Sequence, residues 1–207
     1  MDEDSFVRKI VREHRGGFCY ELNGAFAGLL RTLGFQVTLI SARVARANGD
    51  MSPEFDHLAL QIDLGGIWLA DVGFGDLFTE PLLLEIDVEQ AQDVGVFRIS
   101  ERSGFLALER RQEDSWKTEY FFTLTPRQLT DFAPMCHFHQ TSPESHFTRN
   151  RICSRLTPDG RITLSNRKLI VTAGGIRNER DLSAEDDWAK SIKDYFGISL
   201  EPQNETP

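Results

Sequence analysis

The stretch Arg15-Gly16-Gly17-Phe18-Cys19-Tyr20-Glu21-Leu22-Asn23 places a cysteine between a glycine pair and an apolar, periodic segment. From Leu22 to Leu33 the apolar residues recur at helical spacing, and Gly34 follows where a helix would end. The glycine pair allows a tight turn into that helix. We therefore predict that Cys19 lies in the first helical turn, where unpaired N–H groups and the helix dipole favour a negatively charged sulfur.

Two residues that can activate a thiol, His57 and Asp71, flank a predicted hairpin. Apolar and polar side chains alternate over residues 58–63, Gly65-Gly66 supplies a turn, and residues 67–70 return. We expect folding about this turn to bring Asp71 within a few positions of His57. A carboxylate there accepts a proton from one imidazole nitrogen and leaves the other nitrogen facing the thiol, as in nucleophilic triads.

Each of these three residues also has an ordinary structural interpretation. Free cysteine is among the most buried residue types, so a single cysteine at a helix start is more often packing than catalysis. A single His or Asp beside a strand is usually a satisfied polar group. The combination favours catalysis, because the order is Cys, His, Asp, with a glycine pair before the thiol and the glycine-flanked Phe74 after the acid.

These motifs resemble those of the arylamine N-acetyltransferases. The resemblance rests on residues 15–23, on Asp56-His57-Leu58 and on Asp71-Val72-Gly73-Phe74-Gly75. It continues into residues 141–148 and the turn at residues 157–160. The similarity thus extends over nearly the whole chain and its motifs are specific.

The resemblance implies a role for each matching residue. Cys19 would be the nucleophile that takes acetyl from acetyl-CoA, His57 the base and later the acid, and Asp71 the group that orients His57. The reaction would be ping-pong, with the acetyl group passing through a cysteine thioester to an arylamine or hydrazine. The implied substrate-binding residues line the acceptor pocket or flank the thioester: Phe74 in the pocket, and Val44, Gly73 and Gly75 beside the thioester.

Composition and charge narrow the class of partner. The chain has 207 residues, 40% of them hydrophobic, which is enough to bury a sizeable core. A formal net charge of −9 argues against a nucleic-acid or anionic-membrane partner, since both favour positive surfaces. Because CoA is polyanionic, we still expect a local basic patch, and its candidate residues are Arg43, Arg46, Arg149, Arg151, Arg167 and Lys168.

The three cysteines, Cys19, Cys136 and Cys153, form an odd and unpatterned set. The sequence carries no signal peptide, no apolar run of transmembrane length and no disulfide framework, so we expect a reducing cytoplasm. Cys136 is followed by His137 and His139, but no second ligand cluster at structural-zinc spacing accompanies them, and no metal site is predicted.

The predicted elements indicate an α+β fold with the helix, barrel and lid in that order. Residues 1–34 are assigned to the remainder of an N-terminal helical domain that bears the nucleophile, with one short helix from Asp4 to His14. Residues 35–140 are assigned to an antiparallel β-barrel, because short strands separated by turn residues dominate there. The predicted barrel strands are 36–45, 58–63, 67–72, 96–100, 105–109 and 116–124.

The last third of the chain, residues 141–207, is assigned to a C-terminal α/β domain. A hairpin is predicted over residues 150–164, followed by a helix from Ala184 to Phe196. Ser183 is the predicted N-cap of this helix and Gly197 its end. The family resemblance implies that this domain is a lid.

The segment before Arg15 departs from the family pattern. Family members ordinarily carry several helices before the Arg-Gly-Gly sequence, whereas Arg15 stands fourteen residues after the start of this sequence. We therefore expect part of the apolar face of the Glu21–Leu33 helix to be uncovered, with a cost in stability and activity relative to a version extended upstream.

Two alternatives to an acetyltransferase stay open. A transglutaminase-like or papain-like cysteine hydrolase shares the triad order and the helix-borne thiol, although a transglutaminase-type core is expected to follow the cysteine with Trp, where Tyr20 stands here. A non-catalytic, N-terminally truncated relative is the second alternative, motivated by the short N-terminus. The intact triad residues argue against it.

Overall fold

Two units make up the computed structural model, which describes residues 1–199. The first comprises residues 1–12 and 17–137, and the second comprises residues 13–16 and, within the described residues, 138–199. The division into three domains drawn from the sequence stays a prediction. Residues 200–207 of its third part lie outside the described residues.

Side-chain hydrogen bonds hold the starts of the first two helices of the chain. Helix α1 (Glu3–Val7) starts where the Asp2 carboxylate accepts a hydrogen bond from the Ser5 N–H at 2.9 Å, and a π-helical turn, Arg8–Arg12, continues it. Helix α2 is Cys19–Thr32, so Cys19 lies in the first turn as predicted. A 3₁₀ turn (Leu129–Phe132) and helix α3 (Ala133–Thr141) follow the barrel strands.

An eight-stranded antiparallel sheet forms most of the first unit. Its strands are β1 (Gln36–Val44), β2 (His57–Asp63), β3 (Ile67–Ala70), β4 (Leu82–Leu83), β5 (Gln90–Gln92), β6 (Gly95–Arg102), β7 (Phe105–Gln112) and β8 (Ser115–Phe122). Their spatial order is β4-β3-β2-β1-β8-β7-β6-β5. In the predicted β2–β3 hairpin Leu60 stands opposite Ala70, which brings Asp71 to the same end of the hairpin as His57.

Glutamine side chains link the two edge strands of this sheet. Gln90 accepts a hydrogen bond from the Leu83 N–H at 2.8 Å and donates one to the Leu83 carbonyl at 2.9 Å. Gln92 accepts from the N–H groups of Thr79 and Glu80 and donates to the Glu80 carbonyl. The sheet is therefore a nearly closed barrel, and the predicted α+β fold with an antiparallel barrel is confirmed.

Strands β1 to β3 are buried on both faces. One face contributes Ile40, Ala59 and Leu69 to a cluster that also holds the barrel aromatics Phe97 and Phe122. The other face packs against α2 and the 3₁₀ turn through a second cluster, whose buried members include Leu39, Leu58, Leu60, Ile62, Ala70 and Phe132. Double burial fixes the register of these strands, because a one-residue slip would exchange the two faces.

The second unit contains a four-stranded antiparallel sheet and one long helix. The strands are β9 (Ile152–Thr157), β10 (Gly160–Ser165), β11 (Lys168–Ala173) and β12 (Ile176–Asp181), in the order β12-β11-β10-β9. A short helix, α4 (His146–Arg149), precedes them and α5 (Glu185–Phe196) follows. Trp188 and Ile192 of α5 pack on Leu164 and Leu169 of the sheet.

The ends of α5 separate a correct prediction from a wrong one. Gly197 ends the helix in the left-handed conformation, with φ of +70°, as predicted. Ser183 was predicted as the N-cap, but the N-cap residue is Ala184, whose N–H donates to the Asp187 carboxylate at 3.1 Å. An acceptor at the third helical position therefore replaces the capping hydroxyl.

No helix within residues 1–199 is long and apolar enough to cross a membrane.

Candidate active site

Cys19 is the first residue of α2 and is half-buried. The turn that precedes it is held by Glu21, whose carboxylate accepts a hydrogen bond from the Phe18 N–H at 2.9 Å and one from Lys9 Nζ at 2.7 Å. These contacts fix the entry of the chain into the helix. The sulfur consequently lies at the positive end of the helix dipole.

Asp71 follows β3 directly and is buried with every carboxylate oxygen engaged. Its Oδ1 accepts a hydrogen bond from Asn23 Nδ2 at 2.9 Å, and also from the N–H groups of Gly73 and Phe74 at 2.9 and 3.1 Å. Its Oδ2 accepts from His57 Nε2 at 2.6 Å. Burial by itself raises the pKa of Asp71, but the positive charge of His57 and these hydrogen bonds hold that pKa below its usual value.

His57, the first residue of β2, is buried and charged at neutral pH. Burial lowers the pKa of the imidazole, but the negative charges of Asp71 and of the Cys19 sulfur outweigh it and raise the pKa of His57 to about 10. Nε2 donates to Asp71, so Nδ1 is the ring nitrogen left for the hydrogen bond with Cys19. The three side chains form a hydrogen-bonded chain from the sulfur through the imidazole to the carboxylate.

Two aromatic rings enclose the imidazole. Phe74 stands edge-on to His57 with ring centroids 5.2 Å apart, and Tyr120 lies 5.3 Å from the imidazole centroid and 5.5 Å from that of Phe74. Burial, and then the charge of Asp71, raise the pKa of Tyr120, so its hydroxyl stays neutral. The rings keep water from the ion pair and so strengthen it, because water would screen the charges.

Gly73 lies directly against the first turn of α2. A methyl group at this position would stand 2.6 Å from Cys19 Cα and 2.7 Å from Asn23 Nδ2, closer than side chains approach. Only the hydrogen of glycine fits between the loop and the helix. The glycine therefore sets the distance between the segment that carries Asp71 and the helix that carries Cys19.

The structure brings together most of the residues singled out from the sequence. His57 is bonded to both Cys19 and Asp71, Phe74 lies against the His57 ring, and Gly73 lies against Cys19. Val44 stands opposite Tyr120 across the β1–β8 pair, at one remove from His57. Gly75 is exposed, with φ of +106° and an open position where a side chain would be. The roles assigned to all seven residues stay predictions.

Half of the predicted basic patch is engaged in ion pairs. Arg43 lies 3.7 Å from Glu54, Lys168 lies 2.7 Å from Glu179, and Arg151 pairs with Glu185. These residues serve their own unit, so a patch for CoA stays a prediction. Among residues 1–199, no group of three or more His, Cys, Asp or Glu side chains is arranged to hold a metal ion.

Sequence reasoning assigned no role to Asn23 and Tyr120. Asn23 is four residues after Cys19 and thus lies on the same face of the helix, a spacing that the sequence displays. Tyr120 is far from the three triad residues in the sequence, and the pairing of β8 with β1, which in turn pairs with β2, brings it to the site. Nothing in its local sequence could have indicated this.

Comparison with known proteins shows which protein family the chain resembles. The N-acetyltransferase family model matches residues 1–206. The chain belongs to this family. Its resemblance to arylamine N-acetyltransferases, drawn from the motifs, is thereby confirmed.

Individual relatives of the N-acetyltransferase family agree with this assignment. The chain is 33% identical to the arylamine N-acetyltransferase / N-hydroxyarylamine O-acetyltransferase of Salmonella typhimurium over 80% of this chain and 60% of that protein. It is 33% identical to human arylamine N-acetyltransferase 1 over 96% of this chain and 77% of that protein.

A solved relative of the family is the Mycobacterium marinum arylamine N-acetyltransferase in complex with CoA. It superposes with a TM-score of 0.87 at 29% identity, and the match covers 95% of this chain and 75% of that one. The chain thus spans between three fifths and four fifths of the length of these relatives.

Proposed function

We propose that the protein transfers an acetyl group from acetyl-CoA, through a thioester on Cys19, to an arylamine or hydrazine. The observation that carries the proposal is the buried His57–Asp71 pair with the Cys19 sulfur bonded to its free end. Membership in the N-acetyltransferase family and the CoA complex of a relative support acetyl-CoA as the donor.

In the first half-reaction the Cys19 thiolate attacks the acetyl carbonyl carbon. The carbon–sulfur bond to CoA breaks as the tetrahedral intermediate collapses, and the departing CoA sulfur takes the proton that His57 Nδ1 holds. The acetyl thioester of Cys19 and a neutral imidazole result. Because the raised pKa of His57 keeps the resting ring protonated, we propose that His57 acts first as an acid, whereas the family resemblance implies a base first.

In the second half-reaction His57 acts as the base. The amine nitrogen attacks the thioester carbon while neutral His57 accepts its proton, and the Cys19 thiolate leaves. Asp71 stabilises the imidazolium that reforms. The product is an N-acetyl amine, and the ion pair is restored without any other reactant.

Cys19 is the only one of the three cysteines in this setting. Burial raises the pKa of Cys136 and of Cys153, which disfavours their thiolates.

Phe74 is proposed to line the acceptor pocket, since its ring lies beside the reacting imidazole. Val44, Gly73 and Gly75 are proposed to flank the thioester. We place the protein in the cytoplasm, where its three free cysteines persist.

Initial-rate kinetics with acetyl-CoA and an aromatic amine, or an aryl hydrazine, test this function. The ping-pong scheme predicts parallel lines in double-reciprocal plots, because CoA leaves before the amine binds. Intersecting lines would contradict the thioester route. Cleavage of a peptide library without acetyl transfer would favour the cysteine hydrolase, and inactivity of the folded protein toward both would favour a non-catalytic relative.

A further inference from the structure

Asn23 is a fully buried polar residue, one helical turn after Cys19. Its Nδ2 donates to the Leu58 carbonyl at 2.6 Å and to Asp71 Oδ1 at 2.9 Å. Its Oδ1 accepts from the Val72 N–H at 2.9 Å. Both amide protons and the amide oxygen are therefore bonded within the protein, which is what a buried amide requires.

These three hydrogen bonds join the three segments that carry the reacting residues. Asn23 shares α2 with Cys19, Leu58 is covalently next to His57, and Val72 is covalently next to Asp71. A single side chain thus connects the backbone on which each member of the triad is mounted. The closeness of Gly73 to both Cys19 and the Asn23 amide leaves this connection no slack.

Asn23 also determines which oxygen of Asp71 faces the imidazole. It donates to Oδ1 and so holds Oδ2 toward His57. The amide is neutral, so it satisfies the carboxylate without competing with His57 for its charge. A carboxylate in its place would put two negative groups within hydrogen-bond distance in a buried site, where like charges interact strongly.

We propose that Asn23 is a positioning residue of the acyl-transfer site, which fixes the Asp71 carboxylate and through it the imidazolium opposite the Cys19 sulfur. The inference rests on the proposed function for its meaning, but it makes a claim about the thiolate that needs no acetyl-CoA. If its role were purely structural, Asn23 would stabilise the fold through its hydrogen bonds and would not affect the charge state of the site.

The test is the rate of alkylation of Cys19 by iodoacetamide, followed by peptide mass mapping at pH 6 and pH 9. The wild-type ratio of the two rates is the reference, and the protonated His57 opposite the sulfur should support reaction at pH 6. In Asn23→Ala we expect the ratio of the pH 6 rate to the pH 9 rate to fall by about tenfold, the worth of one hydrogen bond to a charged group. Asn23→Asp should lower it at least as far.

Asn23→Asp separates the two roles because it keeps the shape of asparagine. A purely structural role predicts a smaller fall in the alkylation ratio for Asn23→Asp than for Asn23→Ala. The positioning role predicts a fall that is at least as large for Asn23→Asp. Leu39→Ala is the matched control: it removes a buried side chain from the same cluster and should lower the melting temperature while leaving the ratio unchanged. Where neither Asn23 variant folds, Asn23→Ser keeps one hydroxyl donor. Its alkylation ratio should lie between the wild-type value and the tenfold lower value expected for Asn23→Ala.

An unchanged alkylation ratio in a folded Asn23 variant would overturn the inference. A fall in the ratio for Leu39→Ala as large as the fall in the Asn23 variants would also overturn it. The outcome is independent of acetyl transfer. A wild type that alkylates as expected but forms no acetyl product would contradict the proposed function and leave the positioning role intact. Normal acetyl transfer with an unchanged ratio would do the opposite.

Discussion

The buried ion pair of the barrel unit contrasts with the exposed ion pairs of the C-terminal unit. In the barrel unit Asn23, His57 and Asp71 are buried and bonded to one another. In the C-terminal unit the ion pairs lie at the surface, as in the pair between Lys168 and Glu179. The core of that unit is formed mainly by apolar side chains of the sheet and α5.

The difference follows from the cost of removing charge from water. A buried ion must have every hydrogen-bonding atom satisfied, and loss of one partner then leaves an uncompensated charge. An exposed pair is solvated whether or not its partner is present, and salt screens it. Function that depends on a shifted proton equilibrium can therefore be built in the barrel unit, and substitutions in the two units should differ greatly in effect.

The largest effect is expected from Asp71→Asn. The amide keeps the shape of the side chain but cannot stabilise the imidazolium, so single-turnover acetylation of the protein by acetyl-CoA should slow on the order of 10⁴-fold, as in the comparable serine system. A thermal melt of the same variant controls for unfolding. Acetylation near the wild-type rate would show that Asp71 only holds the end of the strand.

The charge on His57 should depend on the same carboxylate. In the wild type the imidazole is expected to lose its proton near pH 10, because the attraction of Asp71 and of the Cys19 sulfur overcomes burial. Without the carboxylate, burial dominates and favours the neutral ring, so in Asp71→Asn the titration should move down toward, or below, the range of free histidine. Nitrogen-15 NMR of the labelled imidazole measures this, and identical titrations in the two proteins would refute the coupling.

A smaller effect is expected when the fit between loop and helix is disturbed. Gly73→Ala introduces a methyl group 2.6 Å from Cys19 Cα, so the loop must move. A displacement of about 1 Å at a reacting group costs roughly 100-fold in rate. Gly16→Ala is the matched control, since a methyl group there meets nothing within 4 Å. Equal rates of Cys19 acetylation in the two variants would show that this contact is unimportant.

The smallest effect is expected in the C-terminal unit. Glu179→Gln removes the negative charge from an exposed ion pair with Lys168 and Arg177, whose charges solvent then screens. Both the melting temperature and the acetylation rate should stay at wild-type values, with the differences shrinking further in high salt. A marked fall in either quantity would mean that the contrast between the two units is misplaced.

The sequence displayed the parts of the site that depend on local patterns. The helix at Cys19 follows from apolar periodicity after a glycine pair. The hairpin that brings His57 and Asp71 close together follows from the alternation of apolar and polar residues before the Gly65-Gly66 turn. Both are local, and the structure contains both. Local patterns suffice where one element is defined by its own side chains.

What the sequence did not display depends on pairing between distant segments. Closure of the barrel rests on Gln90 bonding the backbone of Leu83, in strands of two and three residues that carry no alternation. Tyr120 reaches His57 only because β8 pairs with β1 and β1 pairs with β2. The order of proton transfers likewise depends on the charge of His57, which burial and its neighbours set together.

The covalent step is the central claim, and intact-protein mass spectrometry tests it most directly. After mixing with acetyl-CoA in the absence of any amine, the wild type should carry one acetyl group, which peptide mapping should locate on Cys19. Cys19→Ser should carry none while melting normally, because a serine hydroxyl is not ionised by an imidazole partner alone. An adduct that persists in Cys19→Ser, or that maps to Cys136 or Cys153, would contradict the account.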